Sequence, residues 1–234
     1  MRKPILLVSG CSFTTDYYTS LHHPELKCNW PKWPELLADK MGMEVVNLGR
    51  SGAGQEYIFA SLSHALATYG DRVGYVIAAW SQVQRRDYSE RINDKDRWTS
   101  SHFDMKGDIH YYINRSMMYY YQFQTMCEYH NVQYKQFSMI EPFKDYLKGL
   151  KTSSLNKDID ENQVITTLIN NPYYDKIKEK NFIGWPLIPD HGGYNIQWLV
   201  TDNKSKKELQ ISETDSHPSA LGHEKYAEFI YENL

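Results

Sequence analysis

Ile5-Leu6-Leu7-Val8 is a continuous apolar run that stops at Ser9-Gly10-Cys11-Ser12. A short run with no polar alternation, closed by glycine, is a strand covered on both faces, which is the setting of a parallel sheet between helix layers. Val73-Gly74-Tyr75-Val76-Ile77-Ala78-Ala79-Trp80 has the same character, and Glu44-Val45-Val46-Asn47-Leu48 and Val132 to Met139 read as further strands. Helical spacing fills the gaps between them. Trp30, Trp33, Leu36, Leu37 and Met41 share one face, with Pro31 or Pro34 suited to a first turn and Gly42 to the end. Residues 55–69, with Ile58, Leu62, Ala65, Leu66 and Tyr69 inward, and Ile113 to His130 read as two more helices. Residues 219–233 form a closing helix with Leu221, Tyr226, Phe229 and Ile230 inward, and Ile196 to Val200 reads as a strand after the turn at Asp190-His191-Gly192-Gly193. Strands alternating with helices predict an α/β/α domain with a mostly parallel sheet.

The chain of 234 residues fits one α/β domain with a sizeable core. Residues 88–110 and 141–185 are polar and rich in turn formers and read as insertions. The second is expected to form helical pieces outside the sheet, as a cap over the site. A net charge of −3 with mixed signs argues against a nucleic-acid surface. Three cysteines without metal-like spacing argue against a disulfide framework and for a reducing compartment. The apolar run after Arg2-Lys3 is too short for a secretory core, and no run approaches a membrane span. These features predict a cytoplasmic protein with no membrane or nucleic-acid partner. The oligomeric state is left open by the sequence.

Reactive groups in open α/β sheets sit just past the carboxyl ends of strands, and Ser12 is placed there. Ser12 is otherwise a helix N-cap. Asp215-Ser216-His217-Pro218 lies near the other end of the chain. Serine, histidine and a carboxylate are the types needed to activate a hydroxyl: nucleophile, base, and a group that orients the base. Pro218-Ser219 also suits an ordinary helix start. Gly49-Arg50-Ser51-Gly52-Ala53-Gly54 lacks the Lys-Ser/Thr of a P-loop and reads as a tight turn or as a backbone site for a small oxyanion. His22-His23 reads as a solvated loop, and His223 with Asp215 lacks further metal ligands at suitable spacing. No cofactor and no metal are expected. Cys11 also lies at the strand end and is a weaker candidate nucleophile.

Three of these segments together resemble the SGNH (GDSL-like) hydrolases. Gly10-Cys11-Ser12 resembles the family's first block, usually Gly-Asp-Ser. Val45 to Gly52 resembles the second, and Asp215-Ser216-His217-Pro218 the last, usually Asp-x-x-His-Pro. The resemblance implies a flavodoxin-like sheet and a serine esterase of small acyl, commonly acetyl, esters, with a small-molecule or glycan ester as substrate. It implies catalytic Ser12, His217 and Asp215, and an oxyanion hole from the amides of Ser12 and Gly52. The chain departs from the family in two places. Asp215 is one residue nearer the histidine than usual, which leaves Thr214 in the family's Asp position and Glu213 as a second carboxylate. The loop Ser81-Gln82-Val83-Gln84-Arg85-Arg86-Asp87 has no Asn where the family has an oxyanion donor. Ser81 and Gln82 are candidates to replace it. Gln84, Arg85 and Trp80 are candidate substrate contacts.

Overall fold

The computed structural model describes residues 2–93, 95–101, 107–143, 161–201 and 206–234. The predicted insertions at 88–110 and 141–185 therefore lie in part outside the described residues, at 94, 102–106 and 144–160. Five parallel strands form the central sheet: β1 (Ile5–Ser9), β2 (Glu44–Asn47), β3 (Val73–Trp80), β6 (Gln133–Ser138) and β7 (Phe182–Ile183). β4 (Arg86–Ile92) and β5 (Lys95–Ser101) form a separate antiparallel hairpin. The sheet order is β2-β1-β3-β6-β7. With the hairpin set aside this is order 2-1-3-4-5, the flavodoxin-like winding.

The apolar run of β1 is continuous because both of its faces are covered. Ile5 and Leu7 join one core with Val76, Ala78 and Trp80. That core is closed by α2 (Gln55–Tyr69) and α3 (Ile109–Tyr129). Leu6 and Val8 face the other way, with Tyr75, Ile77 and Ala79. There they meet α1 (Trp33–Met41) and α7 (Ala220–Glu232). Each fully buried side chain of this kind contributes about 1.5–3 kcal/mol from water exclusion. The fold is thus a three-layer α/β/α sandwich. Among the described residues no helix is long and apolar enough to cross a membrane.

Three expectations are corrected. Ile196 to Val200 is not a strand: Ile196 and Gln197 donate their amides to the carbonyls of Ser138 and Met139, and the chain then turns into the short helix α5 (Trp198–Thr201). The edge strand is instead the two-residue β7, inside the stretch expected to lie outside the sheet. The same stretch supplies α4 (Glu161–Ile169), which buries Val164 and Leu168 in the α3 core. Leu221 is 43% exposed on the closing helix, whereas Tyr226 and Ile230 are buried. A last short helix, α6 (Lys206–Leu209), precedes the segment that leads into α7.

The hairpin has a structural task. Gly54 begins α2 with no side chain to cap it. Asp87 of β4 does so from outside: it accepts from the amides of Gly54 and Tyr57, both at 2.9 Å, and from Ser100 Oγ at 2.5 Å. Its carboxylate is buried. Arg50 Nη1 adds a bond to Ser100 Oγ, tying the glycine loop to the hairpin. Asp87→Ala strands these donors. It is expected to cost about 2–4 kcal/mol, from a lost cap and unsatisfied buried N–H groups. At this chain length that lowers the melting temperature by about 6–12 °C, readable by calorimetry.

Candidate active site

The site is built at the carboxyl ends of β1 and β3. After β1 the chain turns tightly, with the amides of Thr14 and Thr15 both donating to Cys11 O. Gly10 is required there, because a Cβ at that position would overlap the Thr14 side chain and Ala79 Cβ. The turn leaves Ser12 half-buried while Cys11 is fully buried. Burial removes Cys11 as an accessible nucleophile.

The second part is a compact turn ahead of α7. Ile211 N donates to His217 O and Ser212 N to Asp215 O, while Ser212 Oγ accepts from Asp215 N. Ser219 caps α7, accepting from Gly222 N. This frame brings His217 Nε2 to 2.8 Å from Ser12 Oγ, across 205 residues of sequence. His217 Nδ1 lies 2.6 Å from Asp215 Oδ1. Asp215, not Glu213 or Thr214, is the residue beside the ring; both of those are exposed.

Burial alone pushes the Asp215 carboxyl up. Hydrogen bonds from Ser20 Oγ, the His217 amide and the His217 ring, with the imidazole's charge, outweigh it and hold the carboxyl at about 2. An ionised Asp215 places the imidazole proton on Nδ1. That leaves the Nε2 lone pair facing the Ser12 hydroxyl, which donates to it. Burial lowers the His217 pKa below its ordinary 6.5. Asp215 opposes this, and the charges of Arg85 and His22 add to it. The ring is therefore a free base at neutral pH.

The glycine loop after β2 approaches the same end of the sheet, with Arg50 N donating to Gly10 O. Asn47 braces it, giving Nδ2 to Thr14 O and taking Gly49 N on Oδ1. Gly52 sits at φ 77°, a left-handed conformation that costs a side-chain-bearing residue energy. Among the described residues neither the Ser12 nor the Gly52 backbone N–H has an internal acceptor.

The loop after β3 corrects several expectations. Ser81 is buried and its hydroxyl donates to Ala53 O at 2.7 Å, so it has no proton left for an oxyanion. Trp80 is fully buried, packed on Tyr120 and Phe123, with its indole N–H given to Gln136. Gln84 is buried as well. Trp80 and Gln84 therefore offer substrate no surface. Gln82 and Arg85 remain half-buried at the rim. Arg85 Nε donates to Gln82 Oε1 at 3.3 Å and Arg85 Nη1 to Ala53 O at 3.3 Å.

Two residues at this site carry no sequence signal of their role. Ser20 Oγ donates to Asp215 Oδ2 at 2.5 Å, and the Tyr18 ring stacks on His217 with centroids 4.1 Å apart. Both come from the stretch that reads as a polar loop. The same loop is pinned by His23, whose Nε2 lies 2.8 Å from Ser212 Oγ. His223 is not a ligand: it is buried, accepts from Trp33 N, and is lowered to about 3, first by burial and then by the Lys32 and His217 charges. Among the described residues no group of three or more His, Cys, Asp or Glu could hold a metal ion.

No protein-family model matches the sequence, and no curated protein matches it. Solved structures do. A protein assigned to the G-D-S-L lipolytic family from Desulfitobacterium hafniense DCB-2 superposes with a TM-score of 0.53 at 14% identity, covering 98% of this chain and 99% of that one. The psychrotrophic esterase EstA from Pseudoalteromonas sp. gives 0.53 at 13% identity, over 98% and 95%. A variant of Axe2, an acetyl-xylooligosaccharide esterase from Geobacillus, gives 0.51 at 14% identity, over 99% and 94%. The strand order, the two helix layers and these near-full-length superpositions agree: the chain has the three-layer α/β/α fold of the SGNH (GDSL-type) esterases.

Proposed function

We propose that this chain is a serine esterase acting on a small acyl ester of the acetyl type, with a carbohydrate as one candidate for the alcohol carrier. The observation that carries the reading is the 2.8 Å contact of Ser12 Oγ with His217 Nε2, on a ring whose other nitrogen faces a buried carboxylate. In this reading His217 Nε2 takes the Ser12 proton as Oγ bonds the acyl carbon, and the carbonyl electron pair moves onto oxygen. That oxyanion is met by the amides of Ser12 and Gly52, with Gln82 and Arg85 as the polar side chains at the rim. Collapse expels the alkoxide, which takes the proton back from Nε2. Water, deprotonated by the same nitrogen, then attacks the acyl-serine, releasing the acid and restoring Ser12. Asp215 stays ionised and holds Nδ1–H throughout.

The acetyl class is supported by the described activity of Axe2, an acetyl-xylooligosaccharide esterase. The loop after β3 lacks the usual Asn donor, and loss of one such donor costs about 10²–10³ in rate. Turnover slower than in an enzyme that has the Asn is therefore part of the reading. The test is reaction with a fluorophosphonate probe followed by peptide mass spectrometry. The expected adduct is on the peptide containing Ser12. A Ser12 peptide left unmodified, under conditions that label a control serine esterase, rejects the esterase and leaves a binding protein with this fold. An O-acyltransferase would use the same residues with an acceptor hydroxyl in place of water. A transfer product accumulating when a sugar or alcohol is added during turnover distinguishes it.

A further inference from the structure

Loop residues 14–31 are remote in sequence from His217, yet one of them lies across the imidazole. We propose that Tyr18 is a positioning residue for the His217–Asp215 pair: its ring shields the imidazole from water, and its hydroxyl helps to hold the plane in which the Asp215 carboxylate meets the ring. The catalytic consequence rests on the serine-esterase reading; the structural content does not.

The Tyr18 ring is stacked on the imidazole at 27°, and Phe13 packs on the same ring with centroids 4.6 Å apart. The Tyr18 hydroxyl lies 3.1 Å from Asp215 Oδ2 and 2.8 Å from His217 Nδ1. Burial and the nearby Asp215 charge push the phenol well above its ordinary 10, so it keeps its proton. Nδ1 carries a proton of its own, directed at Asp215 Oδ1, so the phenolic proton goes to Oδ2. Four donors then share the carboxylate, with the Tyr18 hydroxyl nearer Oδ2 at 3.1 Å than Oδ1 at 3.4 Å. Oδ2 takes the hydroxyls of Ser20 and Tyr18, and Oδ1 takes the amide and the ring N–H of His217. Tilting the carboxylate out of this plane would weaken all four.

The charged or titratable groups facing His217 are Asp215 from its own turn, Tyr18 and His22 from the 14–31 loop, Arg85 from the loop after β3, and His223 of α7. Among these only Tyr18 covers the ring. Burial disfavours the imidazolium, so uncovering the ring raises the pKa of His217.

The experiment compares wild type with Tyr18→Phe and Tyr18→Ala, reading kcat, KM, the acid limb of kcat/KM against pH, and the His217 ring titration by NMR. Tyr18→Phe keeps the cover and loses the hydroxyl: kcat falls about 3–10-fold, the worth of one hydrogen bond, and the limb stays in place. Tyr18→Ala loses both: kcat falls by about 10²-fold, as expected when a base is misplaced, and the limb moves up by about 0.5–1 pH unit. A Tyr18→Ala protein with wild-type kcat and an unmoved limb overturns the proposal. If the wild type neither labels at Ser12 nor turns over esters, the esterase reading has failed. The NMR titration still decides on Tyr18: an upward shift in Tyr18→Ala but not in Tyr18→Phe supports it, and identical titrations in all three proteins overturn it. Should Tyr18→Ala fail to fold, Tyr18→Leu serves the same comparison.

Discussion

Ser12→Ala is expected to lower kcat for a small acyl ester by about 10⁵–10⁶-fold, the scale at which removal of a serine nucleophile leaves only binding and oxyanion stabilisation. The fold should not notice. Among the described residues the Ser12 hydroxyl makes one hydrogen bond, to His217 Nε2, and the turn that carries it is held by Cys11 O instead. Loss of one hydroxyl and its single hydrogen bond at a half-buried position costs about 0.5–1.5 kcal/mol at most, a small change in the melt for a chain of this length. The measurement pairs steady-state hydrolysis of p-nitrophenyl acetate with a thermal melt. Retained turnover within tenfold of wild type, in a protein with a nearly unchanged melt, means that some other group attacks the ester.

Asp215→Asn has the second largest expected effect, a fall in kcat of about 10⁴-fold. The substitution keeps the volume but replaces an acceptor by a donor on one side. Asp215 Oδ1 accepts from both the amide and the ring of His217, and Oδ2 from Ser20 and Tyr18. An amide N–H placed at Oδ1 faces the amide and the ring N–H of His217. The ring then relieves the conflict by moving its proton to Nε2, which turns the base away from Ser12. Acid behaviour separates this variant from a merely unfolded one. The folded carboxyl sits at about 2 against an ordinary 3.8, so its contribution to stability is present above 3.8 and is lost as pH falls toward 2. Asp215→Asn lacks this dependence, so its stability curve against pH should be flatter in that window. In the wild type, kcat/KM should rise with pH through a midpoint below 6.5, because burial lowers the His217 pKa. A midpoint well above 6.5 would contradict the buried free-base state of the ring.

The asymmetry between what was readable in the sequence and what was not has a physical origin. β1 and β3 are legible because strands buried on both faces need no alternation, so Ile5 to Val8 and Val73 to Trp80 stand out as unbroken apolar runs. α1 is legible because Gly42 ends it in a left-handed turn. Phe182–Ile183 is not legible, since two residues define no period. Ile196 to Val200 misleads, since its β-branched and aromatic composition suits a strand. Its amides are instead used to cap the end of β6 before the chain turns away. Tyr119-Tyr120-Tyr121 behaves as consecutive helical residues must: Tyr120 is buried and its neighbours only partly so.

The sequence by itself determined the layers and the chemical types at the sheet's carboxyl edge, because periodicity and reactive side chains are local properties of the chain. Only the tertiary structure decided the partnerships: His217 with Ser12 across 205 residues, Tyr18 and Ser20 on Asp215, Asp87 on the start of α2, and Trp80 in the core rather than in the site. Each depends on where distant segments meet. That is set by the winding of the sheet and by the need to satisfy buried donors, neither of which leaves a mark on neighbouring residues in the chain.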